Sequence, residues 1–401
     1  MEQSNHRLQL ANWTKNINPS AMQTFLSFAD SPDFISLGLG LPDCSLLPKT
    51  IVEKSIREII VSDQNSFQYT QPLSSLKQQI VGLMRERGLF CKENEIFLTT
   101  GAQQGISLLV RMLLNHKSSI ITENFIYPGF LQAIEPYAPI LHTVSTHFRN
   151  GINIDDVERI LQSDCNPTLI YLVADGGNPH SVTIPLSHRE QLASLARKYG
   201  VPIIEDDPYG FLNYDNNMLP PIISFDSEWI FYVGTFSKLL APSFRVGWLI
   251  VPENLQKHLS ILKEGSDINI ASFSQRIVSK ILENIKLTDH VQSLINFYRA
   301  KREAIHAALN EYFPKDAVYY LPSNGIFFWV KLPDWINMHE FFECALKDYQ
   351  VAFIPGEAFS IIKNSANKNY IRLNFSLPTL EQIKEGICRL SKVIAYLKEK
   401  I

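Results

Sequence analysis

Residues 231–248 read Phe231-Tyr232-Val233-Gly234-Thr235-Phe236-Ser237-Lys238-Leu239-Leu240-Ala241-Pro242-Ser243-Phe244-Arg245-Val246-Gly247-Trp248. One lysine stands beside hydroxyl residues, an arginine follows seven positions later, and apolar runs flank the group. A cation set between such runs is held somewhere enclosed. An amine in a dry site near a second cation loses its proton readily and becomes a nucleophile toward aldehydes. Hydroxyls and a guanidinium together suit a phosphate. An aldehyde and a phosphate on one small molecule describe pyridoxal 5′-phosphate (PLP). By residue type alone Lys238 reads as a solvated loop charge and Thr235 and Ser237 as loop hydrogen-bonders. It is the whole segment that favours the enclosed reading.

Outward from this segment, strands and helices alternate from about Leu47 to Leu287. Glu95–Thr99 reads as a strand, and Gln103–Leu114 as a helix with Ile106, Leu109, Val110 and Leu113 on its apolar face. Short β-branched apolar runs follow at Ser119–Thr122, Leu169–Val173, Val201–Ile204, Ile230–Val233 and Val246–Val251, with helices such as Ser187–Tyr199 between them. That order implies an α/β sheet with helices on both faces. Ligands of such sheets gather at the carboxyl ends of strands. Thr100, Asp206 and Gly234 each fall just after a predicted strand, so one cleft is expected there. Beyond Asp289 a long helix to Tyr312 leads into strands at Val318–Tyr320, Ile326–Lys331, Val351–Ile354 and Tyr370–Phe375, then a helix over Leu380–Leu397. This predicts three parts: an arm over 1–47, whose helix carries Met22, Phe25, Leu26 and Phe28, a large domain over 48–287 and a small α+β domain over 288–401.

The 401 residues suffice for two sizeable cores, and 45% hydrophobic with 19% charged residues is an ordinary globular balance. A net charge of −3 argues against nucleic acid or an anionic membrane as the main partner. No apolar run reaches transmembrane length, and Met1–Lys15 lacks a signal-peptide core. Cys44, Cys91, Cys165, Cys344 and Cys388 are scattered, forming neither metal-spaced pairs nor a disulfide framework, which makes a reducing cytoplasm the expectation.

Three further groups draw attention by type. Ile204-Glu205-Asp206-Asp207-Pro208-Tyr209 puts two acids at a strand end. A PLP electron sink needs its pyridine nitrogen protonated, and an adjacent carboxylate keeps the proton there. Either Asp206 or Asp207 could serve, and a helix cap is the bland alternative. Thr100-Gly101-Ala102-Gln103-Gln104-Gly105 joins a strand to a helix, where small residues let backbone N–H groups approach an anion. It is neither a dinucleotide fingerprint nor a Walker loop. Arg372, inside the alternating Asn369–Phe375 segment, either snorkels outward or points into a site, where its fork fits a carboxylate.

From about Ile35 to Phe375 the chain resembles fold-type I PLP enzymes of the aspartate aminotransferase superfamily, nearest in pattern to the 2-aminoadipate and kynurenine aminotransferase branch. The resemblance implies a mostly parallel seven-stranded sheet sandwiched by helices, plus a smaller α+β domain. It implies that Lys238 carries PLP as a Schiff base and later moves the substrate α-proton. It favours Asp206 for the pyridine nitrogen, with Tyr209 and Asn178 (in Gly176-Gly177-Asn178-Pro179) on the ring 3′-oxygen. Gly101, Ala102, Gln103, Thr235, Ser237 and Arg245 would hold the phosphate, and Tyr127 would stack on the ring. Tyr69 matches a tyrosine that reaches the phosphate of a neighbouring subunit, implying a homodimer with shared sites. Arg372 would take the substrate α-carboxylate, with the Gly40 backbone against the substrate. The implied reaction passes an amino group from an amino acid to a 2-oxo acid.

The chain departs from the family pattern in three places. Gln23 stands where an arginine of that branch often meets the distal end of the substrate. The usual Asn-Pro-Thr-Gly turn is Asn178-Pro179-His180-Ser181, so that His180 is either an inert surface replacement or a new polar group near the site. The preceding Ala174-Asp175-Gly176-Gly177 is also unusual. The same cofactor frame supports elimination, decarboxylation, cyclisation and oxidation, which stand as alternatives. A ligand-sensing regulator would need a basic DNA-binding segment ahead of the arm, and fewer than 20 residues precede Pro19. A PLP binder without catalysis is argued against by Lys238, Asp206, Tyr209, Arg245 and Arg372 occurring together.

Overall fold

The computed structural model describes residues 9–15, 34–362 and 369–400. Gln23 and the apolar face of the arm helix lie outside the described residues.

Seven apolar runs assemble into one sheet: β1 (Ile96–Thr99), β2 (Ser119–Glu123), β3 (Ile140–Val144), β4 (Pro167–Leu172), β5 (Ile203–Asp207), β6 (Ile230–Thr235) and β7 (Gly247–Ile250), in the order β1-β7-β6-β5-β4-β2-β3. Neighbours run parallel except β7, which is antiparallel to both β1 and β6. The strand β3 breaks the expected pattern of buried β-branched runs. It lies at the sheet edge with its first residue exposed and the next three half-buried, so it carries His142 and Thr143 instead of a continuous apolar face.

Alternate strand residues feed two cores, as helices on both faces require. Ile120, Leu169, Tyr171, Ile204, Phe231 and Leu249 pack with Ile106 and Leu109 of helix α1 (Ala102–Leu113). Ile121, Ile170, Leu172, Ile203 and Trp248 pack on the other face with Leu192 and Ala196 of α2 (Leu186–Tyr199). Helix α2 stops at Gly200, whose φ of 64° supplies the left-handed residue that ends many helices.

Register fixes where the site falls. Gly247 opposes both Thr99 and Thr235, and Asp207 opposes Gly234. The carboxyl ends of β1, β5 and β6 therefore meet the start of β7 at one edge. Three polar segments emerge there together: Thr100–Gly101, Asp206–Tyr209 and Ser237–Arg245.

C-terminal to this, α3 (Leu287–Tyr312) packs against α4 (Leu380–Lys398) beside a second sheet. That sheet comprises β8 (Phe327–Lys331), β9 (Ile354–Pro355) and β10 (Tyr370–Asn374), antiparallel in the order β8-β10-β9. The helix α4 begins with a capping box, in which Thr379 Oγ1 accepts from the Gln382 N–H and Gln382 Oε1 accepts from the Thr379 N–H. The predicted strand at Val318–Tyr320 reduces to one bridge, Val318 to Lys331, and the Val351–Ile354 run splits into two short pieces around Phe353. The N-terminal segment forms a separate two-stranded sheet beside this one. Ile35–Ser36 pairs parallel with Val351–Ala352, and the Leu37 carbonyl accepts from the Asn374 N–H at 2.6 Å. Gly38–Gly40 is thereby laid across the cleft.

Candidate active site

Lys238 sits three residues past the end of β6. Its Nζ donates to the Gly40 carbonyl at 2.7 Å, from the segment laid across the cleft. Burial, reinforced by the fields of Arg372 and Arg245, pulls its pKa down to about 8. The neutral amine expected from the sequence is therefore accessible near physiological pH.

The two acids at the end of β5 have different surroundings. Asp207 Oδ2 pairs with Arg87 Nη1 at 3.0 Å and accepts from Tyr232 Oη at 2.9 Å, while Oδ1 accepts from the Gly210 N–H at 2.7 Å. It is fully committed inside the fold. Asp206 Oδ2 accepts from Tyr171 Oη at 2.8 Å, but Oδ1 is buried without a partner among the described residues. Burial pushes its pKa up to about 7, against the Tyr171 hydrogen bond. A buried carboxylate oxygen lacking a donor calls for one, and a pyridinium N–H is such a donor.

The phosphate candidates meet at the turn between β1 and α1. Gly101 has φ 79° and ψ 169°, and a Cβ there would run into the Arg245 guanidinium. Arg245 reaches the Thr100 and Pro242 carbonyls at 3.3 and 3.2 Å and has no carboxylate partner among the described residues. Thr235 Oγ1 donates to Ser237 Oγ at 2.9 Å beside it. The first N–H groups of α1, from Ala102 and Gln103 on, have no side-chain cap. Uncapped N–H groups, two hydroxyls and an unpaired guanidinium form an anion cradle. Gln103 Nε2 donates to the Gly129 carbonyl at 2.7 Å, tying α1 to the turn of Tyr127, whose ring folds against Gly129. Burial pushes the Tyr127 hydroxyl up to about 12, with Asp206 adding to it and Arg245 and Arg372 opposing. Tyr209 is buried, edge-on to Phe327 at 5.9 Å.

Arg372 occupies the middle of β10 and points into the cleft, not outward. Its Nη1 donates to Asn178 Oδ1 at 2.7 Å and Nη2 to the Gly38 carbonyl at 2.8 Å. Its Cζ lies 3.9 Å from the centre of the Phe327 ring. It is buried with no carboxylate partner among the described residues, and burial draws its pKa down to about 10. A Cβ on Gly40 would approach Phe327 to 2.5 Å, so the backbone there passes close to the same ring.

Tyr69 stands apart from this group. It is 83% exposed. His180 is not the surface replacement that was one of its two readings. Its side chain is 9% exposed and lies among Phe125 and Trp329. Several contributors were missed. Tyr171 could have been found, since a tyrosine in an aliphatic buried strand requires a partner for its hydroxyl. Arg87 carried no such signal, because it follows a surface helix and meets Asp207 and Asp175 only through the fold.

The cleft thus gathers an amine, the Arg372 guanidinium, an anion cradle that includes Arg245, and one buried acid with an open oxygen among the described residues. These fit PLP: Lys238 for the aldehyde, the turn at Gly101 and Arg245 for the phosphate, and Asp206 for the ring nitrogen. That combination, on this sheet, defines a PLP-dependent enzyme of fold type I. Residues 32–390 match the family of aminotransferase class I and II, and the chain belongs to it. It is 33% identical over 384 residues to aromatic-amino-acid aminotransferase 1 of Thermococcus litoralis, covering 94% of this chain and 91% of that one. Among solved structures, the multiple substrate aminotransferase of Thermococcus profundus superposes with a TM-score of 0.89 at 30% identity, covering 98% of each chain. The α-aminoadipate aminotransferase of Thermus thermophilus, solved with N-(5′-phosphopyridoxyl)-L-leucine, gives 0.90 at 26% identity and the same coverage. The protein is a PLP-dependent aminotransferase of fold type I.

Proposed function

We propose that this chain moves the α-amino group of an amino acid to a 2-oxo acid with Lys238 as both cofactor anchor and proton carrier. The observation that carries this is the absence of an ion-pair partner for Arg372, Arg245 or Lys238 among the described residues, around a buried Asp206. Such a charge balance calls for a ligand with two anionic ends. PLP, when bound, supplies an electron-poor ring that takes up the charge left by the departing α-proton. Asp206 Oδ1 would hold the ring nitrogen's proton, while Tyr171 fixes the other carboxylate oxygen. Arg372 holds the substrate α-carboxylate in a bidentate grip, which fixes the bond to be broken relative to Lys238. Lys238 accepts that proton at Nζ, and its lowered pKa suits a base working near neutrality. Tyr209 and Asn178 would hold the ring 3′-oxygen, and Tyr127 would cover the ring face.

The arm, large and small parts divide at 47 and 287, and the protein works in the cytoplasm as a homodimer whose partner brings Tyr69 to the phosphate. The exposure of Tyr69, with Phe67 70% exposed beside it, supports a covered surface there. Among the described residues, no helix is long and apolar enough to cross a membrane. The test is a half-reaction. Holoenzyme titrated with single amino acids should lose its near-visible cofactor absorbance and release one keto acid per site. Lys238→Ala should lack that absorbance and release keto acid at least about 10³-fold more slowly. Ammonia or carbon dioxide release in place of keto acid would overturn the reading.

A further inference from the structure

The turn after Asn178 carries a group that the reaction above does not use. His180 is enclosed between Phe125 and Trp329, each ring centre 5.8 Å away and set edge-on. It is engaged with the Phe125 backbone, and its Nε2 is buried without a partner among the described residues. Facing that nitrogen at 4.0 Å is Oε1 of Glu123, the last residue of β2. Glu123 is equally enclosed, its side chain 11% exposed, and Oε1 accepts from Thr146 Oγ1 at 2.7 Å.

Donor and acceptor rules restrict this pair. An imidazole donating through Nδ1 leaves Nε2 as an acceptor, and an ionised carboxylate can only accept. The two groups complement each other when the carboxyl carries the proton. Burial favours that state, since it pushes Glu123 up to about 7 and His180 down to about 4. The surroundings supply little to oppose it. Thr146 and the Phe125 and Trp329 rings face the pair. Arg149 and Asp215, which line the same pocket as His180, are exposed to water and screened by it. The separation of 4.0 Å is too long for a hydrogen bond. A movement of about 1 Å closes it.

The position of the pair gives it a consequence. His180 lies two residues past Asn178, whose Oδ1 accepts from Arg372. Glu123 lies four residues before Tyr127. We propose that Glu123 and His180 form a neutral pair, the carboxyl O–H donating to Nε2, that clamps the Asn178–Pro179 turn to the end of β2 and so aims Arg372 at the substrate carboxylate. Both are positioning residues. The inference rests on the reading of Arg372 as the carboxylate site.

The experiment compares holoenzymes of wild type, Glu123→Gln and His180→Leu. A glutamine keeps an N–H for Nε2 at every pH. The amino-acid KM of Glu123→Gln should stay within about twofold of wild type at pH 6.5, and wild type alone should rise by about fivefold or more toward pH 8.5. His180→Leu should raise KM by about tenfold at both pH values, with kcat and the cofactor absorbance maximum unchanged. Melting supplies an independent readout. A carboxyl whose folded pKa is raised gives stability present at low pH and lost as pH rises through about 7. Wild type and Glu123→Gln should therefore melt together at pH 4.5, the ordinary carboxyl value, and wild type should melt lower at pH 8.5. Parallel KM curves for wild type and Glu123→Gln, an unchanged KM in His180→Leu, or parallel melting shifts would overturn the proposal. If wild type gives no half-reaction, the transamination reading fails instead, and the melting comparison still decides the pair.

Discussion

Burial moves Lys238 and Asp206 in opposite directions, each toward its uncharged form. For the lysine this has a kinetic consequence. Only the neutral amine adds to an aldehyde, so below about 8 the reactive fraction falls tenfold per pH unit. Recombination of the apoprotein with PLP, followed by stopped-flow absorbance, should accelerate steeply from pH 6 to about 8 and then level off. A rate that keeps climbing toward the ordinary lysine pKa would show that the amine is not desolvated. At this scale the sequence was legible in residue types and ambiguous in partners. Asp206 and Asp207 are adjacent and chemically identical. They are told apart by Arg87 and Tyr232, which consume Asp207, and by Tyr171, which leaves one Asp206 oxygen open. None of those three is near the pair in sequence. His180 likewise reads as either a surface replacement or a polar group near the site, and Phe125 and Trp329, which close around it, are remote in sequence.

At the scale of elements, the start of α1 is built around Gly101. Its φ and ψ fall in a region open to glycine almost alone, and its missing Cβ makes room for Arg245. Gly101→Ala should lower unfolding stability by about 1–3 kcal/mol in urea melts and weaken PLP binding by about tenfold or more, because the guanidinium must move. Gly82→Ala is the control. It lies inside the helix Ser74–Glu86, where a Cβ meets nothing within 4 Å, and should stabilise by about 1 kcal/mol. Equal effects of the two substitutions would remove the cradle argument. The buried strands of the large sheet were legible because continuous β-branched runs have few other uses. The edge strand β3 was not, because half-exposure lets its residues vary. Val318–Tyr320 had the composition of a strand but found one bridging partner.

The whole molecule raises the matter of Tyr69. A tyrosine 83% exposed next to a phenylalanine 70% exposed is costly in water unless another surface covers it. The Thr70 carbonyl accepts from Asn269 Nδ2 at 2.7 Å and fixes the segment on which Tyr69 stands. If a second copy presents Tyr69 to the phosphate, each site draws Lys238 from one protomer and Tyr69 from the other. Two defective proteins should then complement. Lys238→Ala and Tyr69→Ala dimers, mixed under mild denaturant and reassociated, form hybrids in which one site carries both lesions and the other carries neither. Activity should rise from near zero to about a quarter of wild type, since random reassociation makes about half the dimers hybrid with one intact site each. Sedimentation should show a dimer for both parents. If the mixture stays as inactive as its parents while hybrids form, Tyr69 serves its own chain or none, and the shared-site assembly is wrong.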